Sequence, residues 1–432
     1  MNYDVAIGML GCGTVGSGVA RLLQEKQNLY AQRVQAVPGL ARVLVRDLAR
    51  ERPGIPAELL TLDPADVLED PEIQIVIEVM GGIEPAREYI LQALRAGKHV
   101  VTANKALIAR HGLELFEAAA ESGVALHFEA AVAGGIPIIQ TLKRSLVANQ
   151  VDAIYGIING TTNYILSAMT EAGSDFQAVL REAQAQGFAE SDPTDDIEGF
   201  DAAYKLAILA GLIFDQRIDM QQIHRVGIQR ISAEDIAYAR RFGYVIKLLA
   251  IARRTEHGME ARVNPTMIPQ DHPLASVNGV YNALLVNGDA VGELMFYGRG
   301  AGQMPTASSI VGDVLNLVAE LDAPPNVLMS SPLPATAAVL SPAERVMNRY
   351  YIRLQTHDKP GVLGQIGALL GQEEISIHTL VQTKNNPGEA ELVLISHPVS
   401  ELRLRQAVAQ IRQLESVREI DSIIRVEDFR FH

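Results

Sequence analysis

A glycine-rich turn near the start constrains this chain more than any other stretch. Asp4 to Leu10 (DVAIGML) is an apolar run of strand length, and Gly11-Cys12-Gly13-Thr14-Val15-Gly16 follows it at once. Val19, Ala20, Leu22 and Leu23 then recur at helical spacing. The pattern G-x-G-x-x-G is weak alone, but here it stands between a strand and a helix. There the glycines permit a tight turn and close backbone approach, and the free N–H groups of the helix start face a pyrophosphate. Cys12, inside the turn, reads as a small packing residue.

The alternation continues. Strand candidates are Ala41 to Asp47, Ile73 to Met80, His99 to Thr102 and Val124 to Glu129, with helices at Pro85 to Ala96 and at 112–122. Strands and helices alternating from 4 to 129 predict a doubly wound parallel sheet of the Rossmann kind over residues 1–135. In such sheets ligands sit beyond the carboxyl ends of the strands. Lys105 follows His99 to Thr102 there and is read as a site residue. At the end of the second strand an acid favours NAD and an arginine accommodates a 2′-phosphate. Arg46 precedes Asp47, so the expectation is NADP with NAD tolerated, against a solvated strand-end charge.

Residues 136–321 carry the other chemistry. Gly187 to Leu209 opens on the acids Glu190, Asp192, Asp195, Asp196 and Glu198, then enters a helix interrupted only by Asp201 and Lys205. These two are four apart and share a face. A helix apolar nearly all round is a buried one, and a buried lysine beside a carboxylate can act as an acid/base group. The plain alternative is an exposed ion pair. Asn159-Gly160-Thr161-Thr162-Asn163 precedes an apolar helix, suiting a capped or anion-binding N-terminus. The junction Glu129 to Pro137, rich in small residues, reads as a hinge by default, or as carbonyls bent around a hard cation with the Glu129 carboxylate. A late loop, Gly298-Arg299-Gly300-Ala301-Gly302, precedes a helix at about 306–321 that is expected to return to the first domain.

Composition narrows the classes. A net charge of −14 with no Lys/Arg-rich run excludes nucleic acid or an anionic membrane as main partner. No uncharged apolar run approaches the ~20 residues of a membrane span. A single cysteine and no signal-like opening place the chain in a reducing cytoplasm. No histidine stands at ligand spacing, so zinc is not expected.

Residues 322–349, with APPNVLMSSPLPATAAVLSP, read as a linker. From 350 to 432 the order βαββαβ predicts a ferredoxin-like module whose edge could pair with a second copy. Its first strand leads into Asp358-Lys359-Pro360-Gly361-Val362-Leu363.

The chain resembles the homoserine dehydrogenases of the single-function bacterial type, with an α+β substrate and dimerisation domain and a C-terminal ACT domain. The likeness rests on Asn159 to Asn163, on the run from Gly187 through Asp192-Pro193 to Asp201 and Lys205, and on Asp358 to Leu363. The resemblance implies reversible NAD(P)H-dependent reduction of L-aspartate 4-semialdehyde to L-homoserine, on the route to threonine and methionine. It implies Lys205 as proton donor, Lys105 near substrate and nicotinamide, and Glu190 and Asp201 on the substrate's polar groups. The cofactor would lie along Gly11, Gly13, Thr14, Val15, Gly16, Arg46, Lys105, Gly187 and Gly302. A sodium ion would take the Glu129 carboxylate and the carbonyls of Val132, Gly134 and Ile136. Threonine is the implied effector, and a homodimer or homotetramer the implied assembly. A semialdehyde dehydrogenase forming an acyl-enzyme needs a cysteine outside the dinucleotide loop, which this chain lacks. A kinase fusion does not fit a chain opening on the dinucleotide turn. A non-catalytic sensor of NADP and an amino acid is the rival class, and it would need no buried Asp201–Lys205 pair.

Overall fold

The computed structural model describes residues 3–255, 258–321 and 336–429. The chain forms two compact units: Met1–Ile154, Tyr204–Gln222 and Asn282–Ala338 in the first, and Tyr155–Ala203, Ile223–Tyr281 and Val339–His432 in the second. No helix among the described residues is long and apolar enough to cross a membrane.

The first unit is built on a six-stranded parallel sheet. Its order is Leu60–Thr61, Pro38–Leu44, Val5–Leu10, Ile73–Glu78, His99–Thr102 and Leu126–His127. Leu10 pairs with Leu44 on one side and Glu78 on the other, so three carboxyl ends line up beside the glycine turn. This is the strand order of a dinucleotide-binding sheet, with its crevice where the winding direction reverses. Central strands are mostly apolar, because a parallel sheet is covered on both faces. Ile7, Met9, Ile75, Ile77 and Val101 are fully buried, each contributing on the order of 1.5–3 kcal/mol. Ile310, Val314 and Leu317 of the helix Gln303–Glu320 join the same core. That helix packs on Thr14–Glu25 so closely that a Cβ at Gly18 would lie 2.9 Å from Gln303 Cγ and 3.1 Å from Ala307 Cβ.

Three of the boundaries that differ from the sequence reading lie beside the carboxyl ends of the strands. The second strand is Pro38–Leu44, which leaves Arg46 and Asp47 beyond its end. The helix expected at 112–122 begins at Lys105: Asn104 caps it by accepting from the Leu107 amide at 3.1 Å, and the buried Gly112 is helical, not a breaker. The last strand shrinks to Leu126–His127, and the chain turns through Glu129–Ala131. Positive φ at Ala133 (50°) and Gly134 (28°) redirects it further.

The second unit carries a long hairpin, Tyr244–Thr255 with Gly258–Pro269. The C-terminal module has the expected order: strand Met347–His357, helix Val362–Gln372, strands Ile377–Asn386 and Glu389–Ser396, helix Glu401–Ile411, strand Val417–Val426. Leu354, Ile366, Leu370, Leu392, Leu394, Leu404 and Val408 form its core between helices and sheet. One edge is taken: Thr266 pairs with Arg425 and Met267 with Val426, in parallel, joining the module's sheet to the hairpin. Of the expected linker, 322–335 lies outside the described residues, and the module's first strand starts at Met347, inside its end.

Candidate active site

The glycine turn is shaped by what surrounds each glycine. Gly11 has φ 96°, and a Cβ there would meet the Val79 carbonyl oxygen at 2.9 Å. A Cβ at Gly16 would meet the Gly11 carbonyl oxygen at 2.8 Å. Around Gly13, by contrast, nothing stands within 4 Å of the corresponding position. Gly13 is the N-cap of Thr14–Glu25, and Gly13 and Thr14 are exposed while Val15 is half-buried. The open side of the turn is therefore the side of the helix N-terminus, the arrangement a pyrophosphate requires. Beyond Leu44, Arg46 is exposed, whereas the Asp47 carboxylate accepts from the Ala49 amide at 2.8 Å and is turned onto its own loop. Gly302, with φ 118°, caps the helix that packs on Gly18, which brings the late glycine loop to the same end of the unit.

Lys105 is the first residue of its helix, held in place by a buried network that the sequence reading missed. Glu78 is fully buried and accepts from the Thr102 hydroxyl at 2.6 Å and the Met80 amide at 2.8 Å. Burial raises its pKa. Thr102 Oγ1 accepts from the Asn104 amide at 3.0 Å, and Asn104 Nδ2 donates to the Gly82 carbonyl at 2.6 Å. An acid inside the apolar run IQIVIEVM was the available signal. The Lys105–Glu121 helix packs on the one that carries Lys205: Ile108 and Ala109 share a cavity wall with Ala207, Ile208 and Gly211. The Arg110 guanidinium bonds the Tyr204 hydroxyl and lies 5.1 Å from that ring's centre. Lys105 and Lys205 thus stand on neighbouring helices of one unit.

The helix Phe200–Phe214 takes the chain from the second unit into the first. Asp201 and Lys205 are 5% and 9% exposed, so the exposed ion-pair alternative is removed. Asp201 is held from the second unit's own residues. Asn159 Nδ2 donates to Asp201 Oδ2 at 2.9 Å and to Asp196 Oδ1 at 2.6 Å. Asn159 Oδ1 accepts from the Thr162 amide at 2.8 Å and its hydroxyl at 2.7 Å. One buried amide side chain therefore caps the helix Gly160–Ala172 and clamps two carboxylates. Glu190 is exposed, and the Gln184 amide donates to its backbone carbonyl at 3.1 Å. Gly187 has φ 76° with nothing within 4 Å of a Cβ position, an open backbone suited to close ligand approach.

The Glu129 junction is buried and polar. Glu129 Oε1 and Oε2 accept from the Ile139 and Gln140 amides, each at 2.8 Å. Asp313 Oδ2 accepts from the Glu129 amide at 2.9 Å, a partner that an acid in the apolar helix after Ile310 could have signalled. Burial first, then the Asp313 carboxylate, lifts the Glu129 carboxyl to about 7. The Gly134 carbonyl accepts from the Ser309 hydroxyl at 2.6 Å and the Ile136 carbonyl from the Ile138 amide at 2.8 Å. Each carbonyl keeps a second lone pair. Glu129 and Asp313 thus form a buried acid pair, the electrostatics that a hard cation would suit.

Three family models match the chain: the homoserine dehydrogenase NAD-binding domain over residues 11–129, homoserine dehydrogenase over 137–315, and the ACT domain over 350–416. It is 49% identical to the homoserine dehydrogenase of Synechocystis sp., covering 98% of this chain and 99% of that one. With the homoserine dehydrogenase of Pseudomonas aeruginosa it shares 44% identity over 98% of this chain and 99% of the relative. Among solved structures it is similar to a homoserine dehydrogenase from Thiobacillus denitrificans, at 43% identity and TM-score 0.93 over 98% of both chains. A hyperthermophilic archaeal homoserine dehydrogenase in complex with NADPH is 28% identical with TM-score 0.63, over 74% of this chain and 98% of that one.

Proposed function

The chain belongs to the homoserine dehydrogenase family of NAD(P)-dependent oxidoreductases, and on that premise we propose that it reversibly reduces L-aspartate 4-semialdehyde to L-homoserine in threonine and methionine biosynthesis. The observation that carries the mechanism is the buried Asp201 and Lys205, one helical turn apart, with Asp201 clamped by Asn159.

A bound reduced nicotinamide supplies the hydride. Negative charge then builds on the aldehyde oxygen, and Lys205 gives that oxygen a proton from its Nζ. Asp201 orients the ammonium, and Asn159 fixes Asp201. Glu190, which is exposed, accepts from the substrate's ammonium. Lys105, set by the Glu78–Thr102–Asn104 network, adds positive charge near the reacting oxygen. Gly11, Gly13, Thr14, Val15 and Gly16 receive the pyrophosphate, with Gly187 and Gly302 at the cofactor's other contacts. Arg46 takes a 2′-phosphate, so NADP is preferred over NAD. Sodium takes Glu129 and the carbonyls of Val132, Gly134 and Ile136. The domains run 1–135, 136–321 and 350–432; the enzyme is a cytoplasmic homodimer or homotetramer, and threonine acts on it through the ACT domain.

The test follows nucleotide reduction by absorbance, with NADP or NAD, with and without homoserine and threonine. Homoserine-dependent reduction, faster with NADP and slowed by threonine, is expected. Nucleotide binding without homoserine-dependent reduction would refute the reading.

A further inference from the structure

A cavity of about 440 Å³ opens within the second unit, between the segment from His224 to Ile231 and the last helix and strand of the ACT domain. That volume is in the range of small-molecule pockets, about 300–1,000 Å³. Its floor is aliphatic, with Leu404, Val408 and Ile424 among the lining residues. Its charges do not balance. Both lining carboxylates are already engaged: Glu401 with Arg405 and Arg425, and Asp421 with Arg353 at 2.9 Å. Arg230 and Arg412 also line the cavity, are exposed, and form no ion pair among the described residues. In the wall, Tyr350 Oη and Arg425 Nε are buried without a hydrogen-bond partner among the described residues, an arrangement that costs stability.

We propose that this cavity is an effector site for a small carboxylate with an aliphatic tail and no ammonium group. Two uncompensated guanidinium groups recognise the carboxylate, and the aliphatic floor takes the tail. An ammonium finds no unpaired carboxylate among the lining residues. The site reaches the substrate loop through one layer of backbone. Gly227 lines the cavity, and a Cβ on it would stand 2.3 Å from the Ile197 carbonyl oxygen and 2.8 Å from Glu198 Cα. The Ile228 amide donates to the same Ile197 carbonyl at 2.9 Å. Arg225, next to the cavity residue His224, donates to the Glu198 carbonyl at 2.6 Å and lies 3.3 Å over the centre of the Phe200 ring. Ile197 to Phe200 leads directly into Asp201, so an occupant that moves 224–231 changes how the acidic segment presents itself. The link to kinetics rests on the proposed role of that segment in binding homoserine.

The probes are 4-methyl-2-oxopentanoate, L-leucine, L-threonine and 4-methyl-2-oxopentanamide, titrated calorimetrically into the full-length protein. The oxo acid should bind at least about tenfold more tightly than L-leucine, and the amide should not bind, a tenfold step in Kd being the signature of one good charged contact. The same oxo acid should shift the KM for homoserine several-fold and leave the KM for NADP unchanged. The double variant Arg230→Gln/Arg412→Gln changes two exposed side chains, so basal activity should stay as in the parent while binding and the KM shift disappear. No binding to the parent, tighter binding of L-leucine, or equal binding by the double variant overturns the site. Binding with an unchanged homoserine KM overturns the link to the acidic segment. If Glu190→Gln also leaves that KM unchanged, the failure belongs to the substrate assignment and not to the cavity.

Discussion

Replacing Asn159 by aspartate tests the clamp on Asp201 with little change of shape. Asp is as good an N-cap as Asn, so the bonds from Thr162 survive. The side-chain nitrogen, however, becomes a carboxylate oxygen 2.9 Å from Asp201 Oδ2 and 2.6 Å from Asp196 Oδ1. Two like charges at that spacing repel by roughly 6 kcal/mol per pair at an effective dielectric of about 20. The variant avoids this by holding a proton. Keeping an ordinary aspartyl group, with its reference pKa of about 3.9, protonated at neutral pH costs about 4 kcal/mol, at 1.36 kcal/mol per unit. That cost is the ceiling. The introduced group has a folded pKa raised above its unfolded value, so the folded state binds more protons and stability falls as pH rises. The deficit against the parent should shrink from about 4 kcal/mol near pH 7 to about 1.5 near pH 5. Thermal melts of both proteins across that range measure the difference. Homoserine kcat/KM should fall at least about tenfold at neutral pH, because one O–H must now serve both Asp201 and Asp196 where the amide had two N–H donors, and NADP affinity should be retained. A constant deficit across the pH range, or parental kcat/KM, would refute the clamp.

Other outcomes follow from the same assignments. Lys205→Ala should lower kcat by about 10²–10⁴, the usual contribution of a positioned acid or base, with the Kd for NADP nearly unchanged; near-parental turnover removes the lysine from the chemistry. Glu190→Gln should act on the homoserine KM and spare kcat, and a change confined to NADP binding would place the acidic segment elsewhere. Glu129, its carboxyl raised to about 7 by burial, favours the protonated form in the folded state. In choline buffer the melting temperature should therefore fall as pH rises from the ordinary glutamate range through 7, and sodium should offset the fall; identical profiles in both salts argue against the ion.

The fold class was legible because its signals are local. The glycine turn needs no distant partner to be recognised, and an apolar run between turn signals reads as a buried strand. The βαββαβ order of the tail is likewise written in consecutive segments. What escaped was carried by contacts far apart in sequence. Asn159 reads as a helix cap, and its second function depends on Asp201, which only tertiary packing brings within reach. Glu78 and Asp313 announce themselves as acids in apolar runs, yet their pairing with Thr102 and with Glu129 does not. Boundaries moved for local reasons: Asn104 caps the helix at Lys105, so it runs through Gly112, and the last strand ends at His127 because the chain turns at Glu129–Ala131.

The parallel pairing of Thr266 with Arg425 and of Met267 with Val426 has a consequence for anyone who would cut the chain. The ACT domain does not hang from a tether; its final strand completes a ladder begun by the central hairpin, and the Arg262 guanidinium holds Glu427 at 2.8 Å just beyond. Truncation before the ACT domain would uncover the N–H and C=O groups at the C-terminal end of Gly258–Pro269 and leave Arg262 without that carboxylate. Bare strand margins recruit other chains, so the shortened enzyme should form aggregates where a detachable regulator would have left a soluble, desensitised catalyst.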